Sequence, residues 1–257
     1  MQLTIRELMH RLDRLAPFSL QEDWDNSGLM IGSYDAGCSG LYLDLDLTSD
    51  TVRAAKEAGV NTVVTHHPIL FTPLSVVSTD QPPGSILREA LAAGLQVIAM
   101  HTNLDHATGG VNDALAVLLE IEEARPIEDD IGRVADTKET TADAWLHLVK
   151  KKLRVQPRYT GDPNKIIRRV GWCGGAGGDL AQKAASLGLD LLITSEIKHH
   201  QMLLAKETGL FLIDAGHYET EYPVLGALAA ALETIVDLPV HIAPFVPPYH
   251  SLQGTEA

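Results

Sequence analysis

The chain of 257 residues contains only two cysteines, Cys38 and Cys173. Two thiols are too few for a disulfide framework or a four-cysteine zinc site, so a reducing compartment is indicated. No apolar run approaches the roughly 18 to 20 residues that cross a bilayer, and the N-terminal segment lacks a secretory hydrophobic stretch. The sequence therefore predicts a cytoplasmic protein without a membrane partner.

Positive charge is also scarce in this chain. Lysine and arginine number 20 against 34 aspartates and glutamates, which gives a formal net charge of −14. Because nucleic-acid affinity depends mainly on cations that neutralise phosphates, direct DNA binding is disfavoured. Hydrophobic residues make up 45% of the sequence and charged residues 21%, which excludes a disordered chain. The eleven histidines remain as the most distinctive chemical feature.

Four segments share one pattern, in which an alanine-rich helical stretch ends at a glycine and a short run of Val, Ile and Leu follows. The glycines are Gly59, Gly94, Gly188 and Gly209. Each fits the left-handed position that ends a helix, and each apolar run indicates a strand buried on both faces. The pattern predicts an α/β fold with largely parallel sheets. A connecting stretch near 125–130 divides the chain into two predicted lobes, 1–125 and 126–257.

Polar residues recur at nearly the same distance after the glycine in each of the four segments. His66, His101 and Ser195 each lie seven residues after their glycine, and His217 lies eight after its own. This position corresponds to the carboxyl ends of the strands, where open α/β folds bind ligands. Loops are polar in general, but that does not explain three histidines at matched offsets. The spacing therefore predicts a binding site at this edge.

The histidines are accompanied by carboxylates. His67 follows His66 directly, Asp105 lies four residues after His101, and Glu221 lies four residues after His217. Taken singly, Asp105 is explained equally well as a turn or capping residue, and Glu221 as a favourable charge at a helix N-terminus. Together, imidazoles and carboxylates from three strand ends suit zinc, iron, manganese or cobalt, and a pair of such ions activates water.

Secondary elements around these motifs are predicted from capping signals. The stretch from His101 to His106 is expected to be a loop before a helix that begins at Asn112, and Thr220 and Pro223 mark the start of another helix. Thr140 or Thr141 is expected to cap a helix that ends near Lys150–Lys152.

Two further motifs leave alternatives open. The glycine-rich segment WCGGAGGD either presents backbone N–H groups to an anion or simply allows close packing. The predicted strand after Gly188 is followed by Glu196, His199 and His200. The stretch from His199 to Thr208 indicates a helix.

In this order, the motifs resemble the dinuclear-metal Nif-three-like family, whose members are known as GTP cyclohydrolase type-two homologues. The similarity covers about residues 4–245 and corresponds to the compact form that lacks the insertion of longer members. It is carried by EDWDNSGLMIG (22–32), VTHHPILF, HTNLDHATGGVND, ITSEIKHH and DAGHYETE.

The resemblance implies a Nif-three-like fold with a metal cleft between the lobes and two divalent metal ions per subunit. It also implies a homohexameric toroid with the metal sites facing an inner cavity. In addition to the five ligands named next, it makes His101 a sixth candidate, either as a ligand or as a neighbour of a ligand. The implied ligands are His66, His67, Asp105, His217 and Glu221.

The leading functional hypothesis is a metal-dependent hydrolase that acts on a small nucleotide-like substrate such as GTP. Five or six ligands shared by two ions leave coordination positions open, which favours catalysis. His101, Glu219 and His200 are the candidates for proton transfer, since each lies in a strand-end segment. The alternative hypothesis is a non-catalytic, metal-binding toroidal interaction protein.

Overall fold

The computed structural model describes residues 2–128 and 130–250. The helices are α1 (Ile5–Leu15), α2 (Ser49–Glu57), α3 (Gly84–Ala92), α4 (Thr102–His106), α5 (Val111–Leu118), α6 (Ala142–Leu153), α7 (Ala181–Ser186), α8 (His199–Thr208), α9 (His217–Glu221) and α10 (Pro223–Glu233). The strands are β1 (Gly28–Ile31), β2 (Leu41–Asp44), β3 (Thr62–Thr65), β4 (Gln96–Ala99), β5 (Arg125–Pro126), β6 (Arg133–Thr141), β7 (Arg158–Thr160), β8 (Ile166–Trp172), β9 (Leu191–Thr194), β10 (Phe211–Asp214) and β11 (Val240–Ile242).

The chain forms two compact units, and it passes between them three times. The first unit comprises the chain up to Gly110 together with Leu225–Pro244, and the second comprises Val111–Val224 and the chain from Phe245 onward. This division differs from the predicted single boundary between residues 125 and 126. One reason is that α5 joins the second unit, where the Trp172 indole N–H donates to the Asn112 carbonyl at 2.8 Å. The other is that β11 returns to pair with β2.

The first unit is built on a five-stranded sheet in the order β1-β4-β3-β2-β11. Strands β4, β3, β2 and β11 run parallel, and β1 pairs with β4 in the antiparallel sense. Helices α2 and α3 pack on it through Val52 and Leu87, which share a core cluster with Val63 and Val97 of the sheet. Buried aliphatic packing therefore fixes the positions of β3 and β4, and with them the carboxyl ends of these two strands.

The second unit contains a six-stranded sheet in the order β5-β6-β8-β9-β10-β7, in which β8, β9 and β10 are parallel. Thr141 caps α6 through the Ala144 amide, as the sequence predicts. Leu191 and Ile193 of β9 pack in the cluster that contains α6, whereas Leu192 between them packs in the cluster with α7 and α8. Alternate side chains of one strand thus enter two cores, as expected for a strand buried on both faces.

The helix–glycine–strand pattern is confirmed in all four segments. The glycines have φ values of +73°, +68°, +67° and +73° in chain order, and β3, β4, β9 and β10 follow them. The predicted α/β class with mostly parallel strands is confirmed as well. Within the described part of the chain, no helix combines the length and apolar character that crossing a membrane requires.

Candidate metal centre

Three histidines meet at the carboxyl edge of the first sheet. His66 and His67 follow β3 directly, and His101 lies two residues after β4, the neighbouring parallel strand. One ring nitrogen from each lies within 4.8 Å of the other two, so the three imidazoles could hold a metal ion. The ring centroids are 4.9 to 5.6 Å apart. The structure therefore brings together these three residues of the predicted site.

Asp105 joins this group from α4. Its Oδ1 lies 3.8 Å from Nε2 of His66, and both residues are buried. The expectation of a loop from His101 to His106 is wrong, because this segment forms the short helix α4 with His101 at its N-cap. The amides of Leu104 and Asp105 both donate to the His101 carbonyl, which closes the turn. Helical spacing then directs Asp105 back toward the histidines.

Each of the three imidazoles is held through Nδ1 by an oxygen acceptor. The acceptors are the Met100 carbonyl for His66 (2.8 Å), Asp46 Oδ1 for His67 (3.0 Å) and Asp25 Oδ1 for His101 (2.7 Å). Carbonyl and carboxylate oxygens only accept hydrogen bonds, so the proton lies on Nδ1 and the ring's lone pair lies on Nε2. This arrangement orients metal-binding histidines in proteins generally.

Asp25 is the most extensively bonded of these acceptors. Its side chain is fully buried, and Oδ2 accepts from the Thr102 amide (3.0 Å), the Thr102 hydroxyl and the Ser27 hydroxyl (3.1 Å). Burial alone would raise the pKa of this carboxyl, but the hydrogen bonds from His101 and Thr102 outweigh it and hold the pKa well below its usual range. Sequence reasoning assigned no role to Asp25, although it lies in the EDWDNSG motif.

The second unit repeats this arrangement with one histidine. His217 and Glu221 lie one turn apart on α9, with Nε2 of His217 3.1 Å from Oε1 of Glu221, and Glu196 Oε1 accepts from Nδ1 of His217 at 2.7 Å. The predicted helix start at Pro223 is confirmed, because α10 begins there, but Glu221 is the last residue of the preceding helix α9 and not part of that start. Stabilisation by a helix N-terminus therefore does not explain this buried carboxylate.

The glycine-rich loop packs directly against this pair. A Cβ added at Gly175 would lie 2.1 Å from Oε1 of Glu221 and 3.3 Å from Nε2 of His217. Backbone N–H groups of the loop are bonded within the protein: Gly174 to Asn112 Oδ1 (2.9 Å), Gly175 to Thr220 Oγ1 (3.0 Å) and Gly177 to Thr194 Oγ1 (2.9 Å). Close packing, the second of the two alternatives, therefore accounts for this loop.

Two other candidates lie apart from these contacts. Glu219 is buried and accepts a hydrogen bond from the Tyr249 hydroxyl; burial and this carboxylate together raise the pKa of Tyr249. His200 is exposed in the first turn of α8, the helix predicted from the sequence, and its side chain makes no hydrogen bond or ion pair within residues 2–128 and 130–250.

The donor atoms fit a divalent metal. Imidazole Nε2 and carboxylate oxygen suit zinc, iron, manganese and cobalt, and His66, His67, His101 and Asp105 supply four of them in the first unit. His217 and Glu221 supply one of each kind in the second. Among the described residues, neither cysteine belongs to a group of side chains that could hold a metal ion.

A family model described as Duf34/NIF3 (NGG1p interacting factor 3) matches residues 3–246. The chain belongs to the Duf34/NIF3 family. This confirms the resemblance found in the sequence motifs, which carry the histidines and carboxylates described above.

Relatives of known name and structure agree with NIF3 membership. The chain is 34% identical over 232 residues to the GTP cyclohydrolase 1 type 2 homolog of Clostridium perfringens, covering 87% of this chain and 88% of that protein. The namesake from Clostridium acetobutylicum is 32% identical, with 91% of each covered. The crystal structure of Staphylococcus aureus protein SA1388 superposes with a TM-score of 0.93 at 28% identity, covering 98% of this chain and all of that one.

Proposed function

We propose that this NIF3-family chain is a metal-dependent hydrolase of a small, nucleotide-like molecule, and that it works in the cytoplasm as a homohexamer. The observation that carries the proposal is the common anchoring of His66, His67, His101 and His217 through Nδ1, which leaves Nε2 as the ligand atom in each. The GTP cyclohydrolase name of the relatives supports a nucleotide-like substrate.

The proposed centre uses two divalent ions per chain, drawn from zinc, iron, manganese and cobalt. Because each ion takes four to six ligands, five protein ligands leave positions for water and substrate. His101 is either a sixth ligand or a residue beside the ions. The five ligands are His66, His67, Asp105, His217 and Glu221.

Divalent ions bound to these ligands would lower the pKa of water in the site to about 7 and polarise a substrate carbonyl or phosphoryl oxygen. Proton transfer is assigned to His101, Glu219 and His200. His101 accepts and releases a proton at Nε2, because its Nδ1–H donates to Asp25. Glu219 is linked to Tyr249, and His200 faces solvent. A proton carrier must come within about 3 Å of the reacting water, so His101, which lies among the ligands, ranks first.

A non-catalytic, toroidal interaction protein is the second candidate function. It is favoured by exposed apolar side chains near the C-terminal end: Ile242 is 41% exposed, Val246 64% and Tyr249 45%. Ile242 also lies on β11, an edge strand of the first sheet. Such positions are typical of surfaces that contact another chain. Both candidate functions include the metal ions and the homohexamer. They differ in whether the protein turns over a substrate.

Elemental analysis of the reconstituted protein is expected to give about two divalent ions per chain, because the donor atoms exceed what one tetrahedral ion uses. His67→Ala is expected to lower this number. His147→Ala is the matched control, since His147 is an exposed histidine on α6. The loaded protein is then screened for hydrolysis of nucleotides and phosphoesters. One ion or none contradicts the dinuclear proposal, and two ions without any turnover favour the interaction protein.

Chelation of the metal is expected to leave the fold intact. Each unit has its own buried aliphatic core, so the metal is not the main source of stability, in contrast to a zinc finger. Far-ultraviolet circular dichroism before and after chelation at room temperature should therefore coincide. Loss of the signal would mean that the metal has a structural role.

A further inference from the structure

Two large aromatic rings are exposed beside the histidines of the first unit. Trp24 is 59% exposed and Phe71 is 49% exposed, and their ring centroids lie 5.9 Å apart in an edge-to-face arrangement. Both rings also contact the ring of His101 edge-to-face, at centroid distances of 6.2 Å and 5.9 Å. The other two tryptophans, Trp145 and Trp172, are only 6% and 0% exposed. Exposure of Trp24 is thus a local feature of this site.

The residues next to both rings in the chain are held by hydrogen bonds. Trp24 precedes Asp25, whose carboxylate is fixed by His101 and Thr102. Phe71 follows Leu70, whose carbonyl accepts a hydrogen bond from Asn26 Nδ2 at 2.7 Å. The segments that carry the two rings are therefore linked to each other and to His101. Rings held in position before binding lose little conformational freedom when a ligand packs against them.

We propose that Trp24 and Phe71 form a stacking platform that binds the planar heteroaromatic ring of the ligand beside His101. Aromatic rings pair at centroid separations of about 4.5 to 7 Å, and the same range separates both rings from His101. A ligand ring on the platform thus lies next to the candidate metal ligands. The statement that this ligand is the substrate rests on the proposed function. The statement that the ligand binds to the platform does not depend on it.

Binding of two probes to the metal-free and the metal-loaded protein tests the platform. Guanosine carries a planar base without phosphate, and ribose 5-phosphate carries phosphate without a base. Titration calorimetry gives the dissociation constants, and the part of the fluorescence quenching that is lost in Trp24→Phe reports contact with Trp24. Stacking on an aromatic side chain is worth about 1–3 kcal/mol per base, so Trp24→Ala is expected to weaken guanosine binding roughly 5- to 150-fold.

Further variants separate stacking from a general loss of structure. Trp24→Phe keeps an aromatic face and should bind within about threefold of the wild type, whereas Phe71→Ala should weaken binding. Tyr34→Ala is the matched control, because Tyr34 is 44% exposed in the same unit and packs over Arg6 instead of His101. Equal guanosine affinity in Trp24→Ala and the wild type overturns the platform. Absence of saturable guanosine binding overturns it too. Ribose 5-phosphate, which has no base to stack, should bind equally to Trp24→Ala and to the wild type.

The platform and the hydrolase proposal fail in different ways. If guanosine binds in a Trp24-dependent manner but the loaded protein hydrolyses nothing, the platform stands and the hydrolase proposal fails. If a heterocyclic substrate is hydrolysed and Trp24→Ala leaves its KM unchanged, the hydrolase proposal stands and the platform is overturned.

Discussion

Gly175→Ala is expected to remove metal from the protein while lowering its stability only moderately. Gly175 has φ +64°, and an alanine there costs about 1–2 kcal/mol for the left-handed backbone. The added Cβ would also lie 2.1 Å from Oε1 of Glu221. That oxygen is the end of a side chain, so the collision is relieved when the carboxylate moves. The substitution therefore displaces Glu221, a proposed metal ligand, and does not cause a large loss of folding free energy. Metal binding is the property that we expect to change most.

Gly188→Ala is the matched control for this variant. Gly188 lies in the same unit with φ +67°, and no atom of the described residues comes within 4 Å of a Cβ built on it. Both variants should lower the free energy of unfolding of the metal-free protein by similar amounts in denaturant titrations. Elemental analysis should find full metal content in Gly188→Ala and reduced content in Gly175→Ala. Equal metal content in the two variants would exclude Glu221 as a ligand held by this loop.

Local spacing explains which features of the fold could be predicted. The glycines at Gly59, Gly94, Gly188 and Gly209 end helices because the left-handed position favours glycine wherever it occurs. Histidines placed at a fixed distance after such glycines must reach the ends of the strands that follow. The grouping of His66, His67 and His101 therefore follows from the sequence once the strands are parallel neighbours.

Features that depend on tertiary contacts could not be predicted in this way. Asp25 lies 76 residues from His101 and Asp46 lies 21 from His67, and no periodicity relates these positions. A single sequence shows that a carboxylate is present but does not show which histidine it holds. The same reasoning applies to β11, whose pairing with β2 places a late segment in the first unit. Helix α4 was missed because five residues carry too little pattern to distinguish a helix from a loop.

Asp25→Ala is expected to affect both stability and metal binding. The substitution leaves five donors without their acceptor: the His101 ring N–H, the Thr102 amide and hydroxyl, the Ser27 hydroxyl and the Asn26 amide. Leaving buried donors unsatisfied costs about 1–3 kcal/mol, and more when the lost partner is charged, so we expect about 3 kcal/mol in denaturant unfolding. Release of His101 from its orientation should lower metal affinity about 10- to 100-fold if His101 is a ligand.

Asp143→Ala is the control for loss of an Asp–His pair. His147 Nδ1 lies 3.3 Å from Asp143 Oδ2 on α6, with both side chains more than half exposed. An exposed pair of this kind contributes at most about 1 kcal/mol, so metal affinity and the unfolding midpoint should remain close to those of the wild type. Unchanged stability and metal affinity in Asp25→Ala would contradict the role assigned to this buried carboxylate.

Asp25→Asn then determines how His101 acts. An asparagine keeps one acceptor oxygen, which can hold His101 Nδ1, but its amide nitrogen cannot accept from Thr102 and Ser27. The imidazole therefore stays near its position while it loses the negative charge that makes Nε2 more basic. If His101 is a metal ligand, metal affinity and turnover fall together in Asp25→Asn. If His101 only carries protons, both ions are retained and turnover falls alone, as expected for His101→Ala under the same assay.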